Sequence, residues 1–148
     1  NTFKGRKLGI LVSDDLDGKI LEAVKDALEK EGAMFEVVAP QIGGVVCDKG
    51  KKVDAQQKVD GGPSVLYDAV LLLLSKSGAK TLAEKPEARD FVSDAFAHNK
   101  FIGYTDEAMP LIEAVGLDSK MDDGFIDVEK NSAKDFVKTL RDIRYWAR

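Results

Sequence analysis

Two acids that follow a short apolar strand are the residues best placed to do chemistry. The apolar run Phe101–Thr105 ends at a polar break, which Asp106 and Glu107 fill. The apolar positions after the break recur at helical spacing, so the pattern predicts strand, sharp turn and helix over Lys100–Leu117. Such a turn, at the carboxyl end of a parallel strand, is where α/β enzymes hold a nucleophile. Here position 106 is an aspartate, and we expect its side chain to accept backbone N–H bonds from the helix that follows.

A second group of acids, Asp14, Asp15 and Asp17, follows the first predicted strand. Both acidic turns fall at the same edge of a parallel sheet, so their carboxylates could converge on a divalent metal ion or accept a phosphoryl group. Receiver domains that accept phosphate carry an aspartate at the end of the third parallel strand, where this chain has Leu73. That alternative is therefore excluded. We expect helix N-capping by these acids, worth ~1 kcal/mol each, rather than a metal site.

The single cysteine and the single histidine do not complete a catalytic triad. Cys47 falls in a predicted hairpin and His98 near the end of a predicted helix, so neither stands at a strand-to-helix turn. A thiol or serine hydrolase needs its nucleophile beside a base that an acid orients. We therefore expect Cys47 to be a small, half-buried apolar residue and His98 to be solvated. The glycine-rich turn Gly61–Ser64 lacks the spacing of either nucleotide-binding fingerprint.

Size and composition favour one globular domain over residues 1–148. The 148 residues are 44% hydrophobic and 32% charged, and the net charge is −4. Without a continuous basic stripe we expect no nucleic-acid partner, and no run approaches the ~18 apolar residues of a membrane span. A single cysteine excludes an internal disulfide. The first residues are polar and basic, without the apolar stretch of a signal peptide, and the compartment stays open.

Alternating strands and helices predict an α/β three-layer sandwich. Its flavodoxin-like parallel sheet has about five strands, and the segment Gly43–Val59 forms a small β-hairpin excursion. Lys76–Glu84 is expected to be a loop, with Pro86 opening the next helix. The five predicted strands are Lys7–Val12, Met34–Ala39, Ala69–Leu74, Phe101–Thr105 and Phe125–Val128.

Several short segments, taken in order and spacing, make the chain resemble the C-terminal domain of large-subunit haem catalases. That domain is flavodoxin-like and related to the PfpI and class I glutamine amidotransferase superfamily. The resemblance covers essentially all 148 residues. The segments are Gly5-Arg6-Lys7, Ser13-Asp14-Asp15, Gly62-Pro63-Ser64 with Asp68-Ala69-Val70, Phe101-Ile102 through Asp106, and Arg144-Tyr145-Trp146-Ala147-Arg148.

The resemblance implies that the catalytic pair of the superfamily has been lost. Enzymes of the superfamily carry a cysteine and a histidine at the turn, where this chain aligns Asp106 and Glu107. An acid near the first strand usually accompanies the cysteine, and Asp14, Asp15 or Asp17 could match it. The implied domain is non-catalytic and holds no cofactor, while haem belongs to the catalase core of the parent enzyme. Two alternatives stay open: a divergent PfpI-like hydrolase that uses Asp106, and a metal or small-molecule binder at the acidic edge.

The implied partners are the rest of the catalase subunit and its tetramer, and unfolded client proteins if the domain acts as a holdase. Binding an unfolded chain needs exposed apolar surface and no catalytic residue. The tail carries Tyr145 and Trp146 beside Arg144, residue types that protein interfaces favour. We expect these three residues, together with the hairpin region Gly43–Val59, to form the interaction surface.

Overall fold

The computed structural model describes all residues, Asn1–Arg148, and contains eight strands and five α-helices. Short 3₁₀ turns at Ser64–Leu66, Asp106–Ala108, Asp118–Lys120 and Leu140–Asp142 connect them. The elements are β1 (Lys7–Val12), α1 (Gly18–Glu31), β2 (Met34–Ala39), β3 (Val45–Val46), β4 (Lys52–Val53), β5 (Gln57–Lys58), β6 (Ala69–Leu73), α2 (Lys76–Leu82), α3 (Pro86–Ala97), β7 (Ile102–Tyr104), α4 (Met109–Ala114), β8 (Phe125–Asp127) and α5 (Ala133–Thr139).

Six strands form one parallel sheet in the order β5-β2-β1-β6-β7-β8. Apart from the added edge strand β5, this is the flavodoxin-like order that the strand and helix pattern predicts. β1 and β6 lie at the centre and are apolar almost throughout, because helices cover both of their faces. The three-layer prediction is therefore confirmed.

The core is split by the sheet into two apolar layers. One layer packs beneath α1 and α5 and includes Leu21, Leu28 and Phe136. The other packs beneath α2, α3 and α4 and includes Phe91 and Leu111. Each helix thus buries one apolar stripe against the sheet, which fixes the loops at the carboxyl ends of the strands as one edge of the molecule.

The structure differs from the sequence-based expectation in two elements. The segment expected to be a loop, Lys76–Glu84, contains α2, which the Ser75 hydroxyl caps by accepting a hydrogen bond from the Gly78 amide at 3.1 Å. The sheet also gains β5, which pairs with the end of β2 through Val38 and Ala39. The expected hairpin is β3 and β4, which pair antiparallel outside the main sheet.

A close approach in the middle of the sheet depends on a glycine. Gly9 lies in the central strand β1, and a side-chain carbon at this position would overlap the ring of Tyr67. The ring lies over Gly9, and its hydroxyl donates a hydrogen bond to Glu36 of β2 at 3.0 Å. The tyrosine thus crosses β1 and joins the turn before β6 to β2.

Every helix of the structure is too short or too polar to cross a membrane.

Candidate functional site

The turn that could hold a nucleophile has the predicted form. β7 leads through Thr105 into the 3₁₀ turn Asp106–Ala108 and then into α4, which ends before Gly116 at φ 71°. The side chains of Asp106 and Glu107 are exposed. The expected capping by Asp106 is wrong, because Thr105 precedes the turn and no side chain caps it. The Asp106 side chain therefore makes no capping hydrogen bond at this turn.

The acids after β1 have separate structural roles. The Asp17 carboxylate caps α1 by accepting a hydrogen bond from the Ile20 amide at 3.0 Å. Asp14 instead accepts a hydrogen bond from the Val46 amide at 2.9 Å, and so it ties the hairpin to the end of β1. Asp15 lies between them with φ 66°, a left-handed conformation that aspartate tolerates better than most residues. Helix N-capping was expected of all three acids, and only Asp17 performs it.

The two acidic turns meet at a cavity of about 250 Å³ at the carboxyl edge of the sheet. Asp14 and Asp106 do not line this cavity, whereas two acids that the sequence interpretation missed do. Its acidic lining residues are Asp15, Asp17, Asp48, Glu107 and Glu129. The place of Asp48 in this lining could not be anticipated, because Asp48 belongs to the hairpin and reaches the cavity only through the fold. Its carboxylate accepts a hydrogen bond from the amide of Gly18, at the start of α1, at 3.1 Å.

Electrostatics in the cavity are repulsive. Burial, followed by the neighbouring Glu107 carboxylate, raises the pKa of Glu129 above its ordinary value. One ammonium group, that of Lys76, lines the cavity with these acids. No three acidic, histidine or cysteine side chains are grouped so that they could hold a metal ion. The cavity therefore concentrates negative charge, and its lining does not place a nucleophile next to a base.

Cys47 and His98 lie at opposite edges of the sheet. Cys47 is buried in the hairpin, where its side chain packs against Gly18 at the start of α1, beside the carboxyl edge. It is more completely buried than expected. His98 is exposed and ends α3, which leads into the amino end of β7. The two side chains therefore cannot act as a catalytic pair.

The C-terminal tail packs against the amino edge of the sheet. The ring of Tyr145 lies 6.1 Å from that of Phe101, and its amide donates a hydrogen bond to the Asn99 carbonyl at 2.6 Å. Arg144 donates from Nη1 to the Asp68 carbonyl at 2.9 Å. Trp146 is 75% exposed. Of the three residues expected to form an interaction surface, only Trp146 is largely open, while Arg144 and Tyr145 hold the tail in place.

Arg148 fixes the end of the tail, a role that was not anticipated from the sequence. Its Nε lies 2.8 Å from Oδ2 of Asp122, and its Nη1 donates to the carbonyls of Phe96 and Lys100 at 3.0 Å. The guanidinium also lies 4.4 Å from the centre of the Phe96 ring, a cation–π contact. The partners are 26 or more residues away along the chain, so local patterns could not reveal them.

The hairpin offers less open surface than expected. Val45 and Val53 are buried and belong to the core layer under α1, and Val59 is buried in the other layer. Val46 and the preceding Ile42 are its exposed apolar residues. Most apolar side chains of the region Gly43–Val59 are therefore buried, and its exposed residues are mainly polar or charged.

Solved structures of the DJ-1 and PfpI type share this architecture. A DJ-1 superfamily protein from Salmonella typhimurium is 24% identical, with a TM-score of 0.67 over 76% of this chain and 62% of that chain. A two-domain protein from Anabaena variabilis, with DJ-1/ThiJ/PfpI-like and ferritin-like domains, is 13% identical, with a TM-score of 0.67 over 82% of this chain and 39% of that chain. At these identities the likeness concerns the fold alone.

Curated relatives of this chain include longer proteins that are named catalases. Catalase C of Rhizobium meliloti is 48% identical over 99% of this chain and 21% of its own length. Catalase HPII of Pseudomonas putida is 29% identical over 99% of this chain and 20% of its own length. The chain thus spans about a fifth of these relatives. Residues 4–148 match the family model described as the C-terminal domain found in long catalases. The chain therefore belongs to the family of C-terminal domains of long catalases.

Proposed function

We propose that this domain is a non-catalytic part of a large-subunit haem catalase and that it stabilises the parent enzyme and its tetramer. The observation that carries the proposal is the turn after β7, where Asp106 and Glu107 are exposed and the turn itself contains neither a cysteine nor a histidine. The superfamily fold is kept while its nucleophile and base are absent. The parent reaction, conversion of hydrogen peroxide to water and oxygen, belongs to the remaining four-fifths of the subunit.

The residues of this domain do not fit haem. The iron of a haem protein needs an axial side chain, and a catalase core supplies a tyrosine on one side and a histidine on the other. His98 is exposed at a helix end, and the hydroxyl of Tyr67 is bonded to Glu36. A cavity of about 570 Å³ between α1 and α5 is lined by neither histidine nor tyrosine. We infer that haem belongs to the catalase core of the parent.

The hydrolase alternative, with Asp106 as nucleophile, has no supporting geometry. Nucleophilic catalysis needs an activating neighbour within hydrogen-bonding reach, and Asp106 lies among other acids. A binder at the acidic edge is favoured by the 250 Å³ cavity, but nothing in the cavity specifies a ligand. A holdase role is the second part of the proposal, and it rests on the exposed side chain of Trp146.

The test is removal of residues 1–148 from the full-length subunit. We expect the specific activity per haem at ordinary temperature to be unchanged, because the domain contributes no group to the chemistry. We expect the half-life of activity during heating to be shorter, since the tetramer loses a stabilising contact. A normal half-life after removal would contradict the stabilising role, and a loss of activity per haem in an intact tetramer would contradict the non-catalytic assignment.

A further inference from the structure

Exposed apolar side chains are concentrated at the amino edge of the sheet. Val65 and Leu66, in the 3₁₀ turn before β6, are 65% and 51% exposed, and Trp146 in the tail is 75% exposed. The turn leads directly into the amino end of β6. The tail is bonded to Asn99, shortly before β7. Because β6 and β7 are neighbouring parallel strands, the turn and the tail lie side by side.

Two cationic side chains hold the turn in place. Lys100, just before β7, donates from Nζ to the Ser64 carbonyl at 2.7 Å. Arg144, two residues before Trp146, donates to the carbonyl of Asp68 at the other side of the turn. These bonds connect the segment that carries Val65 and Leu66 to the segment that carries Trp146. The apolar side chains therefore stand on a fixed backbone.

The burial of Lys100 and Ser64, which hold the turn, lowers the stability of the isolated domain. Lys100 is only 2% exposed and forms no salt bridge, and the hydroxyl of Ser64 is buried without a hydrogen-bond partner. An ammonium group and a hydroxyl buried in this way both oppose folding. Buried polar groups without full partners are typical of sites that are kept for a function rather than for the stability of the isolated fold.

The course of the chain indicates what covers this edge. The family consists of the C-terminal domains of long catalases. In the relative from Rhizobium meliloti the matched region makes up 21% of the protein. Here Asn1 lies at the same edge, where its side-chain amide is 3.4 Å from the Asp142 carboxylate, four residues before Trp146. Phe3 is fully buried and fixes this segment. A polypeptide that continues before residue 1 reaches the domain beside the exposed turn and tail.

We propose that Val65, Leu66 and Trp146 form the docking surface for the catalase portion of the same subunit. This inference rests on the proposed function and names the contact through which stabilisation acts. An exposed tryptophan beside an arginine matches the composition of interface centres. The two aliphatic side chains extend the apolar surface next to it. The opposite edge carries the acidic cavity, whose hydrated carboxylates favour water over an apolar partner.

The experiment uses the full-length subunit and hydroxyl-radical labelling read by mass spectrometry. For each residue, labelling of the native subunit is divided by labelling of the urea-unfolded subunit. We expect labelling of Trp146 and Leu66 to fall about tenfold in the native subunit, because an interface excludes water. Ile42 is the internal control, since it is 88% exposed and follows β2 at the other edge, and its labelling should stay high.

Variants connect the contact to stability. Trp146→Gln, alone or with Val65→Asn and Leu66→Asn, should shorten the heating half-life of the full-length subunit as removal of the domain does, whereas Ile42→Asn should not. Unprotected Trp146, in a subunit whose half-life still depends on the domain, would overturn this surface and leave the proposed function standing. If Trp146 is protected but removal of the domain does not change the heating half-life, the result would support the docking surface and overturn the stabilising role. Protection that is lost on dilution of the tetramer would assign the contact to a second subunit and overturn the inference.

Discussion

Arg141 and Glu31 form a two-pronged ion pair between the turn after α5 and the end of α1. Arg141 Nη2 lies 2.8 Å from Glu31 Oε1, and Nε lies 3.1 Å from both carboxylate oxygens. Glu31 Oε2 also accepts a hydrogen bond from the Phe3 amide at 2.9 Å. These bonds, that of Arg141 first, lower the pKa of Glu31 from 4.5 to about 2.

Replacing Glu31 with glutamine should flatten the acid side of the stability profile. Because the folded-state pKa is lowered, the carboxylate stabilises the fold above pH 4.5, and this contribution is lost as the pH falls towards 2. Urea unfolding at a series of pH values measures the slope. Glu29→Gln, at an exposed position of the same helix, is the matched control, and an equal slope in both variants would contradict the assignment.

Lys100→Met should remove a rise in stability on the alkaline side. Burial, followed by the charge of Arg144, lowers the pKa of Lys100 from 10.5 to about 8. Between these values the unfolded chain binds a proton that the folded protein does not, so the free energy of unfolding increases with pH. The variant should lack this increase, whereas Lys80→Met, at an exposed position of α2, should retain it. An unchanged slope in Lys100→Met would refute the prediction.

Asp106→Ala and Asp17→Ala should differ in stability. Asp106 is exposed and caps nothing, so its replacement should change the free energy of unfolding by less than about 0.5 kcal/mol. Asp17 caps α1, and its loss should cost about 0.5–2 kcal/mol. Denaturant unfolding of the two variants makes the comparison. A larger cost at Asp106 than at Asp17 would show that the turn depends on the aspartate after all.

Cys47 should be unreactive in the native protein and important only for packing. Its side chain is buried against Gly18, so a thiol reagent should modify it only after unfolding. Cys47→Ser should cost about 1–3 kcal/mol, because a hydroxyl is buried without a partner, and Cys47→Ala should show what the cavity alone costs. Rapid labelling of the folded protein would contradict this prediction.

Excess domain should slow the heat-induced aggregation of an unrelated protein, and Trp146→Gln should weaken that protection. Apolar contact with the exposed indole drives the effect, so added salt should reduce it only modestly. Light scattering of the heated client measures aggregation. An inert protein of equal size and the Ile42→Asn variant are the controls. Equal protection by the inert protein would leave no holdase activity to explain.

Strong apolar patterns made the layers of the fold predictable, and weak ones account for the errors. The runs of β1 and β6 are buried on both faces, so their sequences indicate central strands directly. α2 was missed because it buries only Ala79 and Leu82 and contains Gly78, a poor helix former. β5 has two residues, which is too short for any periodicity.

At the candidate site, residue positions were more predictable than their contacts. The turn at Asp106 follows from the strand and helix pattern around it. The roles of Asp48, Lys100 and Arg148 depend on partners that the fold brings from at least 26 residues away. The sequence could not show whether Asp106 or Thr105 precedes the first residue of the turn, because the boundary of a short element cannot be predicted to within one residue.

The tyrosine that crosses β1 makes two positions of the sequence mutually dependent. The ring of Tyr67 occupies the space that any side chain at position 9 would need, and the ring is the reason why a glycine is tolerated in this central strand. A larger residue at position 9 is compatible with the fold only if position 67 becomes smaller, and a smaller residue at position 67 leaves a void that a larger residue at position 9 can fill. Substitutions at the two sites are therefore epistatic, so the effect of either one on stability cannot be transferred to a homologue without knowing the residue at the other.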